Sequence, residues 1–158
     1  MTNSIPAIQP ISNKNLKRIA SGYGLRMHPV YKIYKMHYGV DFVAPTGTKI
    51  YSTGNGIIKD ININRSYGLC VVINHGYGYK TLYAHMSKVI VRKNQIVNRG
   101  DIIGLVGNSG LSTGSHLHYE VYKNGKNVDP ALFFFNDISP DQYDEMIKVS
   151  KKFPLSFD

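Results

Sequence analysis

No long apolar run occurs in this chain. Instead, β-prone stretches at residues 48–52, 56–63, 69–74, 80–84, 102–106 and 116–123 follow one another, each closed off by Gly, Asn or Pro. This punctuation constrains the chain more than any other feature, because it leaves room for short strands joined by turns and little else. The reading is a mainly β protein: a single domain built on a curved antiparallel sheet, closed as a barrel or sandwich, that carries its chemistry in a groove. With 158 residues it can bury one ordinary core and not two. Residues 1–15 are polar with two prolines and read as irregular, followed by a short helical turn at 16–20. Short C-terminal helices are expected at 131–135 and at 140–152, the second with Tyr143, Met146, Ile147 and Ser150 on one face.

Within the last strand candidate stand His116 and His118, separated by Leu117. Side chains alternate along a strand, so the two imidazoles share one face while Leu117 and Tyr119 share the other. Such a pair can share a metal ion, or divide metal and proton duties between them; it is also compatible with two structural histidines. His37 and Asp41, four residues apart, return to the same side of an extended segment, and Gly39 between them argues against a helix. Two imidazoles and one carboxylate make a familiar donor set for a catalytic metal that keeps one position open to water. A solvated His and a turn Asp would fit the same two positions. His85 follows another strand candidate, either as part of this chemistry or as a surface residue.

These runs lie in order along residues 20–133. They are Ser21-Gly22-Tyr23-Gly24-Leu25-Arg26-Met27-His28-Pro29, His37-x-x-x-Asp41, Tyr83-Ala84-His85-Met86-Ser87, Gly107-Asn108-Ser109-Gly110 leading into His116-Leu117-His118-Tyr119-Glu120-Val121, and Asn124-Gly125-Lys126-Asn127-Val128-Asp129-Pro130. Together they resemble the lysostaphin/LytM family of zinc metalloendopeptidases. The resemblance implies zinc (Zn2+) held by His37, Asp41 and His118, and His116 and His85 acting on protons and on the transition state. It also implies hydrolysis of peptide cross-links in bacterial peptidoglycan. The D-alanyl–diaminopimelate bond is favoured over a glycyl-glycine interbridge. A non-enzymatic wall-binding or amidase-activating module on the same fold is the alternative, and the intact set of five residues argues against it. The implied divisions are an N-terminal extension at 1–19, a LytM-type peptidase domain at 20–135 and a C-terminal helical tail at 136–158.

Other residues carry weaker signals. Arg26 is a candidate for gripping a substrate carboxylate, because a guanidinium does so through two hydrogen bonds. Tyr31 and Tyr34 are candidates for lining the groove. His28 reads as a loop residue and His75, in Asn74-His75-Gly76, as a turn residue. The lone Cys70, among Leu69, Val71 and Val72, reads as core packing. The net charge of +9 favours anionic envelope polymers, but Lys and Arg are scattered and no nucleic-acid-binding signature accompanies them. No stretch approaches the ~20 apolar residues of a membrane span. An enzyme of the periplasm or cell envelope needs an export signal or anchor. Residues 1–10 offer none, so the expectation is a longer precursor. A regulatory partner protein is compatible with this organisation. So is autoinhibition, with Asn3 or Gln9 filling an open metal position.

Overall fold

The computed structural model describes residues 2–13, 16–27 and 31–152, with side chains from residue 3 to 148 within those ranges. The expectations placed on His28 and on the side chain of Ser150 fall outside the described residues. The strands are β1 (Ile19–Ser21), β2 (Gly24–Met27), β3 (Tyr34–His37), β4 (Val40–Val43), β5 (Lys49–Tyr51), β6 (Gly56–Asn64), β7 (Gly68–Gly76), β8 (Tyr79–Val89), β9 (Ile96–Val97), β10 (Ile102–Val106), β11 (His116–Lys123) and β12 (Lys126–Val128). The main sheet is antiparallel and runs β1-β4-β11-β8-β7-β6-β9. β10 pairs with both β5 and β8, and β12 pairs with β11. β2 and β3 form a separate hairpin.

Every strand read from the sequence is present, and β7 and β8 extend beyond their expected limits. The helical turn expected at 16–20 is instead a bend leading into β1. Ile19 and Ser21 pair with Phe42 and Asp41, and Leu16 and Ile19 enter the core, so tertiary pairing overrides local helix propensity. The expected helix at 131–135 is a single 3-10 turn, Pro130–Phe133, capped by the Asp129 carboxylate accepting from the Ala131 N–H at 3.0 Å. The last helix, α1, spans Pro140–Lys152 as expected. A reciprocal cap starts it: Gln142 N–H donates to Ser139 Oγ at 3.2 Å, and Ser139 N–H donates to Gln142 Oε1 at 2.9 Å. Met146 is buried in the main core, with Tyr143 and Ile147 packed beside it.

The core lies against one face of the sheet. Phe42, Tyr83, Leu117, Tyr119 and Val121 alternate inward and meet Phe134, whose ring is 6.1 Å from those of Phe42 and Tyr119. On the other face the same strands present Asp41, Ala84, His118 and Glu120. Cys70 is buried there with Leu82 and Ala84, as its apolar neighbours predict. The N-terminal segment is hydrogen-bonded along β5 and the loop after it: Tyr51 N–H donates to Pro10 O, Ala7 N–H to Thr53 O and Asn55 N–H to Asn3 O. Gln9 is buried, with its N–H donating to Asp137 Oδ2 and its Oε1 accepting from Asn13. These contacts occupy the segment in structural roles and remove Gln9 as an autoinhibitory ligand; neither Gln9 nor Asn3 lines the cleft described below.

His75 is not a turn residue. It is the penultimate residue of β7, 4% exposed, with Nδ1–H donating to Asn55 O at 2.8 Å and Nε2 bonded to Thr81 Oγ1 at 2.7 Å. The turn comes two residues later, at Tyr77 and Gly78, both with positive φ.

Candidate active site

Strand register brings the site together. Asp41 on β4 and His118 on β11 are direct cross-strand partners, and His118 faces Ala84 of β8 on its other side. Alternation along β11 then puts His116, His118 and Glu120 on one face, as the H-x-H spacing predicts. His37 ends β3 and reaches the same place from the separate hairpin. The chain can pass from His37 to Asp41 there because Gly39 has no side chain: a Cβ at this position would lie 2.3 Å from Tyr119 O and 3.0 Å from His118 Cε1.

His85 arrives by a different device. Strand alternation sends Thr81 and Tyr83 to the core, so a regular strand would send residue 85 there too. Instead His85 takes a left-handed backbone, φ 60°, in mid-strand. β8 changes partner around this point, pairing with β11 up to Ala84 and with β10 from Met86 onward. The irregularity turns the imidazole toward the site, with ring centroids 4.7 Å from His116 and 6.1 Å from His118. His85 is therefore a mid-strand corner rather than the end of a strand.

Each imidazole is fixed from behind. His37 Nδ1–H donates to Gly22 O at 2.8 Å, His85 Nδ1–H to Ser109 O at 2.6 Å, and His116 Nδ1–H to Gly114 O at 2.8 Å. A carbonyl can only accept, so the proton of each neutral ring sits on Nδ1 and the lone pair on Nε2. His118 is reversed: its Nε2–H donates to Glu120 Oε2 at 2.7 Å, which leaves the lone pair on Nδ1. Burial pushes the Glu120 carboxyl up, but hydrogen bonds from His118, Tyr122 and Tyr67 outweigh it and hold the group below its ordinary value.

The consequence is a knot of lone pairs. His37 Nε2, His118 Nδ1 and Asp41 Oδ1 lie 3.0–3.2 Å from one another, all on buried residues. No proton remains between them in the neutral-histidine state, so three acceptors face each other at hydrogen-bond distance. A cation is what such an arrangement can hold, and these three residues are the group placed to hold a metal ion among the described residues. His116 stands beside it, with Nε2 3.7 Å from the same Asp41 oxygen.

A cleft of about 190 Å³ opens over this knot, lined by Arg26, Lys35, Met36, His37, Tyr38, Ser66, Tyr67, Leu111, His118 and Glu120. Arg26 therefore borders the cleft. Tyr31 and Tyr34 do not: they are 59% and 64% exposed, and Tyr38 lines the wall instead. Sequence reasoning missed Lys35, Tyr67 and Glu120. Glu120 was within reach, since it continues the i, i+2 series from His116 and His118. Tyr67 had no local signal.

The model for "Peptidase family M23" matches residues 35–130. The DD-carboxypeptidase/endopeptidase Mpg of Neisseria meningitidis serogroup B is 42% identical over 114 residues, 72% of this chain. The peptidoglycan DD-endopeptidase ShyA of Vibrio cholerae is 45% identical over 113 residues, 71% of this chain. Each match covers 26% of the relative, so the chain spans about a quarter of the length of these proteins. A crystal structure of a zinc-containing peptidase from Vibrio cholerae superposes with a TM-score of 0.71 at 39% identity, over 77% of this chain and 38% of that one. With this family match spanning the knot, the hairpin strand that brings His37 and the whole of β11, the chain belongs to peptidase family M23.

Proposed function

We propose that this chain is a zinc metalloendopeptidase that cleaves peptide cross-links of bacterial peptidoglycan at the D-alanyl–diaminopimelate bond, acting in the periplasm or cell envelope. The observation that carries the reading is the knot of three lone pairs. Donors around a tetrahedral zinc at about 2.1 Å stand about 3.4 Å apart, close to the 3.0–3.2 Å separations of His37 Nε2, Asp41 Oδ1 and His118 Nδ1. Zinc bound by these three residues would supply a Lewis acid that lowers the pKa of water to about 7.

The remaining chemistry belongs to the chain. His116 presents an Nε2 lone pair, because Gly114 O holds its Nδ1–H, and so it can take a proton from the attacking water and return it to the leaving amine. His85 keeps its own proton on Nδ1 through Ser109 O, so its neutral ring orients water as an acceptor. It donates to an oxyanion only when doubly protonated. Arg26 and Lys35 make one wall of the cleft cationic. That wall suits a cross-link bearing diaminopimelate, which carries free carboxylates, over an oligoglycine bridge, which carries none. Relatives that are DD-endopeptidases of peptidoglycan support the same choice.

The test is digestion of two purified walls, one cross-linked directly through diaminopimelate and one through glycine bridges, with muropeptides identified by mass. The wild type should convert dimers of the direct wall to monomers. His116→Ala should retain its zinc and lose about two or more orders of magnitude in rate. No cleavage of either wall by folded, zinc-loaded protein sinks the proposal, and loss of zinc from folded His116→Ala reassigns that residue.

A further inference from the structure

The histidines of the site differ in what stands behind them. His37, His85 and His116 lean on backbone carbonyls, which the fold supplies whatever side chains surround them. His118 leans on a side chain, Glu120, and it is the one ring turned to offer Nδ1. With no acceptor behind Nε2, nothing on that side dictates the tautomer, and a ring protonated on Nδ1 cannot bind a metal there.

Glu120 is 1% exposed, an expensive place for a charge. Its oxygens are nevertheless well supplied. Oε2 accepts from His118 and, at 2.5 Å, from Tyr67 OH; Oε1 accepts from Tyr122 OH and, at 3.5 Å, from Asn127 Nδ2. This cage aims the carboxylate at His118. Tyr67 does more than close it. Its ring tilts against His118 with centroids 5.7 Å apart, and its carbonyl accepts the N–H of His85 at 2.8 Å, where β8 turns its left-handed corner.

We propose that Glu120 is a positioning residue that selects the Nδ1 face of His118 for the metal, and that Tyr67 locks Glu120 and the His85 corner into one unit. The proposal rests on the reading of His118 as a metal ligand and adds what makes it one. Neither residue touches the reacting atoms; both act through His118 and His85.

Two readouts test this without any wall substrate. The first is 15N NMR of the metal-free, histidine-labelled protein, which reports the His118 tautomer. The second is zinc affinity by chelator competition. In the neutral ring, the wild type should hold the His118 proton on Nε2. Glu120→Leu should mix the tautomers and weaken zinc binding by about 10- to 100-fold. Glu120→Gln keeps an acceptor and should restore a single tautomer and an affinity within about fivefold of wild type. Tyr67→Phe should fall between wild type and Glu120→Leu. A folded Glu120→Leu with the wild-type tautomer and zinc affinity overturns the proposal. Should that variant fail to fold, Tyr67→Phe decides: unchanged tautomer and affinity overturn it equally. Wild-type protein that cleaves no wall but shows these shifts keeps this inference while removing the proposed substrate.

Discussion

The two faces of the sheet each bury histidine in a polar cluster, and the clusters are built on opposite principles. On the core side, His75, Thr81, Tyr83, Thr53 and Tyr119 form a chain with links of 2.7–3.1 Å, ending at the Asn55 carbonyl. Its interior links are hydroxyls, each able to give one proton and accept others, so every polar atom finds its complement within the protein. On the cleft side, His37, Asp41 and His118 aim lone pairs at a common point. A cluster that is complete by itself stabilises the fold. One whose lone pairs converge on a single point is what a cation can bridge. Both clusters are buried and both contain histidine, but hydroxyls that give and take protons link the first, while a carboxylate joins two imidazole lone pairs in the second.

The largest effect that bears on this contrast is metal. Zinc at about 1,000 times its dissociation constant should raise unfolding free energy by about 4 kcal/mol, read as a chelator-sensitive shift in Tm. A melting curve indifferent to chelator would place the cleft cluster with the core one.

Next is pH. Burial, more than any other influence, lowers the pKa of His75 from 6.5 to about 4. The unfolded chain then binds a proton below pH 6.5 that the folded chain refuses until about pH 4, so stability is complete above pH 6.5 and declines across that window. The decline attributable to His75 approaches about 3 kcal/mol. His75→Gln should flatten it in urea titrations at stepped pH; an equally steep fall in the variant rules His75 out as its source.

A smaller effect should follow from Tyr83→Phe. The change leaves the buried Thr53 N–H, now 3.1 Å from the hydroxyl, without its acceptor. A loss of about 1–3 kcal/mol is expected at every metal concentration. The smallest is the most diagnostic: Asp41→Asn should abolish metal binding yet leave the metal-free protein as stable as wild type, or slightly more so, because it removes one of three opposed acceptors. If this variant instead destabilises the metal-free protein as Tyr83→Phe does, the two clusters are the same kind of thing.

Much of this was legible in the sequence, for reasons that differ by residue. His116 and His118 could be placed on a common face because alternation is enforced by strand geometry over the eight residues of β11. The pairing of Asp41 with His118 could not, since it spans 77 positions and depends on a register set by the whole sheet. Strands β1 to β4 have only three or four residues each, too short for a period to emerge. The His85 corner leaves no signature, because a non-glycine residue at φ 60° is held there by its surroundings and not by its own preference. His75 misled because Gly76 follows it, although the turn is built on Tyr77 and Gly78.

The Asp41–His118 pairing also bears on when the protein can act. The three donors come from two parts of the chain that meet only when β4 and β11 have found each other, and the entropy of closing that long loop must be met by the core packing on the opposite face. A half-folded chain therefore has no assembled ligand set. Capture of a metal ion becomes a certificate of completed topology, and the site has no chemistry to offer until its sheet has closed.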